Sequence, residues 1–216
     1  MPTPSEPSPT QTPTAVPSAT PTPTATPQPT PPATPTIEPT PFGCLRPPDD
    51  YTRVTLRGEH MLAMRTIWML ERAQELYNGE HDFLLAITQG SYNPGVSASF
   101  GTHDGGGAVD LSVRDLNDWF TILYDEFDAI ILALRQAGFA AWIREPDELH
   151  AGSALHIHAI AIGDRDLSEA ARRQLNGPEG YFRGYNGIPN DPPVPDAWGE
   201  PVVCPWMEAL GYTDLR

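Results

Sequence analysis

The chain has 216 residues, a net charge of −15 and 26 prolines, of which 15 lie within residues 1–42. All 13 basic residues are arginine, and the acidic excess argues against nucleic-acid binding and docking on anionic lipid, because both rely on positive patches. No run approaches the roughly 20 apolar residues of a membrane span, so we expect no membrane insertion.

Residues 1–42 have the composition of a disordered linker. They hold 12 threonines, no basic residue and only one each of Phe, Ile and Val, so they cannot bury enough apolar surface to offset the entropy of ordering. Thr/Pro repeats of this kind form extended, semi-rigid stalks. Met1 is followed by Pro and Thr, which is not an export signal, but the stalk composition leads us to expect an extracellular or cell-surface protein.

Residues 43–216 have the size of one domain, which we expect to be monomeric. Cys44 and Cys204 lie near its two ends, and neither belongs to a CxxC pair, so a thiol redox motif and a cysteine zinc knuckle are unsupported. Domain termini often lie close together, and an exported chain meets an oxidising medium. We therefore predict a disulfide between Cys44 and Cys204.

The hydrophobic pattern predicts an α+β domain with a small, mainly antiparallel sheet flanked by helices. In chain order the predicted elements are a strand at 52–56, a helix at 58–77, strands at 83–88 and 108–113, a helix at 116–137, strands at 139–143 and 155–162, and a short helix at 167–175. Residues 89–107 hold too many breakers for either regular state. Residues 176–216 are rich in Gly and Pro, and we expect them to wrap the domain surface.

Four of the six histidines fall in two short segments. His103 and Asp110 are separated by three consecutive glycines, so no helix connects them and the chain must turn tightly. Asp110 lies in an apolar strand, where a carboxylate is costly to bury unless it meets a cation or several donors. His156 and His158 are two apart in a second apolar strand, which points both to one face. That strand is apolar on both sides, so we expect it to be central.

Two histidines and one carboxylate from neighbouring strands make a three-ligand zinc set whose fourth position stays open, as in catalytic sites. Each residue alone is more typical of a satisfied polar group in a core, and the glycine run alone is merely a turn. The combination is what predicts a metal site.

Two motifs resemble one superfamily of zinc peptidases. The segment 102–110, THDGGGAVD, resembles the SxHxxGxAxD motif of the zinc D-Ala-D-Ala carboxypeptidases. The segment 155–159, LHIHA, resembles the HxH strand of the same superfamily, which also includes the lysostaphin-type endopeptidases and the hedgehog signalling domain. The resemblance covers about residues 83–163 and implies the hedgehog/D-Ala-D-Ala-peptidase fold.

The same resemblance implies a zinc cofactor held by His103, Asp110 and His158. His156 takes the place of the second-sphere histidine. The implied activity is hydrolysis of amide bonds by zinc-activated water, with a peptide or peptidoglycan substrate from the cell wall.

The chain departs from the carboxypeptidase pattern in three places. Gly101 replaces a serine two residues before the first zinc histidine, and Leu155 replaces the catalytic Glu three residues before the last ligand. The upstream SGYR segment, whose Arg engages substrate, corresponds here to residues 89–92, which hold no Arg.

These departures shape the predicted roles. We predict His156, and after it Glu148 from the preceding loop, as the group that takes the proton of the water, with His150 as a further contributor. Gln89, Ser91 and Tyr92 are predicted to bind substrate or the oxyanion from the facing loop. The alternatives are a catalytically inactive, zinc-stabilised binding or structural module, and a binding domain without metal.

Overall fold

The structure, a computed structural model, describes residues 43–216. The predicted disordered linker, residues 1–42, lies outside the described residues. The strands are β1 (Arg53–Leu56), β2 (His60–Ala63), β3 (Ile87–Gln89), β4 (Ala108–Ser112), β5 (Phe139–Arg144) and β6 (His156–Ala161). The helices are α1 (Met64–Tyr77), α2 (Phe127–Ala137), α3 (Glu169–Asn176) and α4 (Pro205–Glu208). Within residues 43–216, no helix has the length and apolar character that crossing a membrane requires.

The main sheet has the strand order β3-β4-β6-β5, and each neighbouring pair is antiparallel. The prediction that the histidine-bearing strand β6 is central is confirmed. In the register, Asp110 of β4 and Trp142 of β5 lie on either side of His158, and Arg144 of β5 lies opposite His156. Residues directly opposite each other share a face of the sheet, so these polar side chains all lie on one face.

The other face of the main sheet packs against α1 and α2. The residues that alternate with the polar ones along β4, β5 and β6 belong to this buried core, together with the apolar stripes of both helices: Val109, Leu111, Phe139, Ala141, Ile157, Ala159, Leu70, Ile130 and Leu134. Burying a large aliphatic or aromatic side chain contributes roughly 1.5–3 kcal/mol. α2 ends at Gly138, whose φ of 108° is the left-handed conformation that favours glycine as a helix cap.

A second apolar cluster covers part of the polar face. It combines Trp142 of β5, two residues of α3 and the segment that follows α3. Tyr181 and Phe182 of that segment are fully buried. The Gly- and Pro-rich C-terminal segment therefore does more than wrap the surface as predicted, because it completes the core on this side of the sheet.

The predicted helix at 58–77 starts later than expected. Residues 60–63 form β2, which pairs with β1 in an antiparallel hairpin. Gly58 lies in the hairpin turn with a φ of 74°, so this glycine marks a turn rather than a helix start.

The predicted helix at 116–137 forms only in its second half, as α2. In the first half, backbone N–H groups instead donate to the carboxylates of Asp118 and of Asp115, which directly precedes the predicted helix; each donor lies two or three residues downstream of its acceptor. Such local bonds offer the backbone an alternative to the helix, and they hold this segment as a loop.

Of the predicted strand at 83–88, only the last two residues are in a strand. Ala86 N donates to Asp82 O at 2.9 Å, which closes a turn before the strand begins. Only Ile87–Gln89 pairs with β4, as β3.

Cys44 and Cys204 form the predicted disulfide. The bond spans 160 residues of sequence, and Cys204 is fully buried in the second apolar cluster. The disulfide thus fastens the start of the described chain to the segment that covers part of the polar face.

Candidate metal centre

Three side chains meet on the polar face of the main sheet. Asp110 lies in β4, His158 lies opposite it in β6, and His103 lies in the loop that leads into β4. One nitrogen or carboxylate oxygen from each residue lies within 4.8 Å of the others. The structure therefore brings together the three residues that the motif resemblance names as zinc ligands.

Glycines return the loop, and with it His103, to the sheet. Gly106 N donates to Asp166 O at 2.7 Å, so the loop packs directly on a neighbouring turn. A Cβ at Gly105 would overlap the backbone of Asp166, and Gly107 has a φ of 79°. Only glycine fits this close approach and this conformation without strain.

The ring of His103 is buried and held at both nitrogens. Nδ1 lies 2.9 Å from the Gly90 carbonyl oxygen, which can only accept, so Nδ1 is the donor. In the neutral ring the lone pair is then on Nε2, which lies 3.2 Å from Asp110 Oδ1. The Gly90 carbonyl thereby presents Nε2 as a ligand atom.

The ring of His158 is held in the same manner. Nδ1 lies 2.7 Å from Asp110 Oδ1, and Nε2 lies 3.0 Å from Oε1 of Gln174 on α3. The ring also stacks on Trp142, with centroids 6.2 Å apart and planes at 13°. The two tautomers of the neutral ring differ in which nitrogen donates. In one, Nδ1 donates to Asp110; in the other, Nε2 donates to Gln174 and Nδ1 carries the lone pair of a ligand atom.

The helix that carries Gln174 is tied to the loop that carries His103. Ser168 caps α3 by accepting a hydrogen bond from Ala171 N, and its hydroxyl donates to Thr102 O at 3.2 Å. The two outer elements of the site are therefore fixed to each other as well as to the sheet.

This donor set fits a divalent transition metal. Two imidazoles and one carboxylate are ligands that suit zinc, and three protein ligands leave an open position. Each imidazole has its second nitrogen bonded to an acceptor, Gly90 O or Gln174 Oε1, which is the arrangement that orients metal-binding histidines.

The three groups perturb one another's protonation. Burial alone would raise the pKa of Asp110, but the charge of His103 and hydrogen bonds from both imidazoles hold that pKa well below its usual range. Burial opposes protonation of His103, yet the Asp110 carboxylate outweighs it and raises the pKa of His103. Burial lowers the pKa of His158 to about 4 despite its hydrogen bond to Asp110. These shifts favour a protonated His103 beside an ionised Asp110, and they keep His158 neutral near pH 7.

The three side chains open onto a cavity of about 220 Å³. Its other polar lining residues are Gln89, Ser99, Thr102, Arg144, His150, Ser153, His156 and Gln174. Among the described residues that line the cavity, Asp110 is the one carboxylate.

His156 lies beside the three-residue cluster, as the β6 pattern predicts. Its Nε2 is 3.9 Å from Asp110 Oδ2, and its side chain is 16% exposed. Nδ1 lies 2.7 Å from Ala154 O, so the neutral ring donates from Nδ1 and carries its lone pair on Nε2, on the Asp110 side.

Of the predicted substrate-binding residues, the structure places only Gln89 in the cavity. The Ser91 hydroxyl donates to Ala108 O at 2.6 Å, inside the fold. Tyr92 has a φ of 53°, and its hydroxyl donates to Asp166 Oδ2 at 3.0 Å. Neither residue lines the cavity, because both side chains join the packing around the glycine loop.

Glu148 does not reach the cavity either. Its side chain is exposed in the loop between β5 and β6, and Oε2 accepts a hydrogen bond from Glu145 N at 3.0 Å. The neighbouring His150 does line the cavity.

Sequence reasoning missed Gln174 and Arg144. Gln174 lies on a helix whose sequence gives no sign of a site, and it reaches His158 only because α3 is anchored over the sheet. Arg144 is the last residue of β5 and the one charged residue of that strand. A correct prediction that β5 pairs with β6 would have placed it opposite His156 and so near the site.

No family model, curated protein or solved structure matches the chain. The likeness to the zinc peptidase superfamily therefore rests on the two sequence motifs.

Proposed function

We propose that this chain is a zinc-dependent hydrolase that cleaves amide bonds in peptides, with cell-wall peptides as its substrates. The observation that carries the proposal is the cluster of His103, Asp110 and His158 in the lining of a cavity, with the lone pair of His156 beside it. Zinc supplies a Lewis acid that activates water and polarises an amide carbonyl.

His156 is the proton carrier in this proposal. The Ala154 carbonyl holds the proton of Nδ1, so Nε2 accepts the proton of the attacking water. The protonated ring then donates from Nε2 to the leaving amine. The lone pair lies on the Asp110 side of the ring, as a base beside the metal centre requires.

Gln89 contributes a polar group to substrate in the cavity. Its Nε2 donates to Ser99 Oγ at 3.2 Å, which orients the amide and leaves a second N–H for a ligand. A donor held in this way is suited to a peptide carbonyl or to the charge that develops on it.

The substrate class rests on the two motifs and on the Thr/Pro composition of residues 1–42. A stalk holds a domain away from the surface to which it is attached, where wall peptides are within reach. The Cys44–Cys204 disulfide supports an extracellular or cell-surface location, because such bonds persist in oxidising compartments.

The second candidate function is a catalytically inactive, zinc-stabilised module that has a binding or structural role and cleaves no peptide. The position of Glu148 favours this alternative, since its carboxylate lies outside the cavity and leaves His156 as the base. In such a module the metal would hold together β4, β6 and the loop that carries His103.

Digestion of purified peptidoglycan by the zinc-loaded protein, with and without a chelator, separates the two functions. His156→Ala is expected to keep stoichiometric zinc while hydrolysis falls by about 10²- to 10⁴-fold, as for a lost acid or base. His60→Ala, a histidine outside the cavity, is the matched control and is expected to keep full activity. Absence of hydrolysis from zinc-loaded wild-type protein would instead support the inactive module.

A further inference from the structure

Arg144 is a buried cation in the wall of the cavity. Its side chain is 1% exposed and lines the same cavity as the metal cluster. Nη1 donates to Asn186 O at 2.8 Å, whereas the buried Nη2 has no hydrogen-bond partner among the described residues. Within residues 43–216, no carboxylate lies within 4.0 Å of the guanidinium group.

The other two fully buried arginines are accommodated differently. Arg135 contacts the Asp196 carboxylate at 2.6 Å and several backbone carbonyls. Arg65 lies 3.5 Å from the Asp49 carboxylate, and its two terminal nitrogens donate to three backbone carbonyls. Arg144 therefore stands apart from both as a buried cation without an anionic contact.

A buried charge without a partner is costly, and a ligand that supplies the opposite charge recovers that cost. Burial lowers the pKa of Arg144 to about 10, so the group is still a cation at neutral pH. The charge is present in the cavity before any ligand arrives.

Arg144 is also held in position. It lies opposite His156 in the β5–β6 register, and its guanidinium carbon lies 5.1 Å from the ring centroid of Trp142. Trp142 is fixed in turn, because its indole N–H donates to Tyr185 O at 3.1 Å. A cation fixed in this way loses little freedom on binding, which favours recognition of one defined anion.

We propose that Arg144 binds a free carboxylate of the peptide that occupies this cavity. A carboxylate fits better than a phosphate dianion, because Asp110 already places a negative charge in the cavity and the whole chain carries −15. Arg144 can bind a carboxylate whether or not the protein hydrolyses peptides. The further statement that Arg144 selects the substrate rests on the proposed function. The peptide then presents an amide to the metal centre and an anion to Arg144.

The test is calorimetric titration of the full chain, both zinc-loaded and chelator-treated, with three short peptides in L and D forms. N-acetyl-Ala-Ala carries a C-terminal carboxylate, its C-terminal amide carries none, and N-acetyl-Ala-Glu amide carries a side-chain carboxylate. Whichever acid binds more tightly identifies the source of the anion. Because a hydrogen bond between charged groups is strong, we expect that acid to bind at least about tenfold more tightly than the neutral amide.

Arg144→Gln is expected to abolish the preference for the acid. Arg183→Gln removes the same charge from an exposed position outside the cavity and is expected to keep the preference. Arg144→Lys serves as a second variant if the glutamine variant fails to fold, and its preference is expected to fall. Thermal unfolding verifies the fold of each variant.

Equal binding of acids and amide by wild-type protein, or an unchanged preference in the Arg144 variant that folds, overturns the proposal. Mass spectrometry of the titrated peptides reports hydrolysis separately. A carboxylate preference that depends on Arg144, without cleavage, would remove the hydrolase function and leave the anion subsite standing. Cleavage without such a preference would do the reverse.

Discussion

Replacing Gln174 with leucine tests how the outer hydrogen bond prepares His158 for metal. Leucine keeps an apolar stem of similar size and a similar helix propensity, but it removes the acceptor that lies 3.0 Å from His158 Nε2. Losing one such bond costs about 1–1.5 kcal/mol, which corresponds to roughly tenfold weaker zinc binding. The loss falls at the low end of the 10- to 100-fold typical of outer-shell changes, because Trp142 still stacks on the ring.

The assay is competition for zinc with a chromophoric chelator. Gln174→Glu is the matched variant, because it keeps an acceptor at the same distance from the helix and adds charge, so we expect zinc affinity at or above that of the wild type. Equal affinity of the leucine variant and the wild type, or a glutamate variant as weak as the leucine variant, would contradict the role assigned to this hydrogen bond.

His103→Ala, Asp110→Ala and His158→Ala should each abolish stoichiometric zinc binding, measured by metal analysis after dialysis; retention of one equivalent by the His158 variant would exclude it as a ligand. Zinc affinity should fall as pH drops through the raised pKa of His103, because metal must displace its proton, while His158, with a pKa of about 4, is already neutral at pH 6. Calorimetry in buffers of different ionisation enthalpy should therefore count about one proton released below that pKa and none well above it. Reduction of the Cys44–Cys204 bond, which spans 160 residues, should lower the unfolding free energy by about 4–5 kcal/mol, and an unchanged melting temperature in reductant would refute this.

The ligand cluster was predictable because its signals are local in the chain. The glycine run between His103 and Asp110 can only be a tight turn, and the two-residue spacing of His156 and His158 fixes a shared strand face. Strand pairing then needed only to place β4 beside β6 for the groups to meet.

Residues that reach the site through tertiary packing were not predictable in this way. Gln174 depends on where α3 is anchored, and Arg144 depends on the pairing of β5 with β6. The converse error concerns Ser91 and Tyr92, which were predicted at the site because they are close to the motifs in sequence. Their hydroxyl groups instead form hydrogen bonds within the fold.

The secondary-structure errors have a common physical origin. The apolar residues at 58–63 and 116–123 fit helical spacing, but turn-forming residues within or directly before these stretches decide the backbone. Gly58 turns a hairpin, and the carboxylates of Asp115 and Asp118 bind backbone N–H groups of their own loop. Local hydrogen bonding outweighed periodicity in both places.

The stacking of Trp142 on His158 gives the protein an optical reporter of its own. The indole is buried between the imidazole and Tyr181, so its emission responds to the charge of the neighbouring ring rather than to bulk solvent. A positive charge on His158, from a bound proton or a metal ion, quenches the fluorescence of the neighbouring indole. The chain contains five tryptophans, so the signal of Trp142 is identified by difference. The fluorescence change that Trp142→Phe abolishes is the part that reports protonation or metal binding at His158.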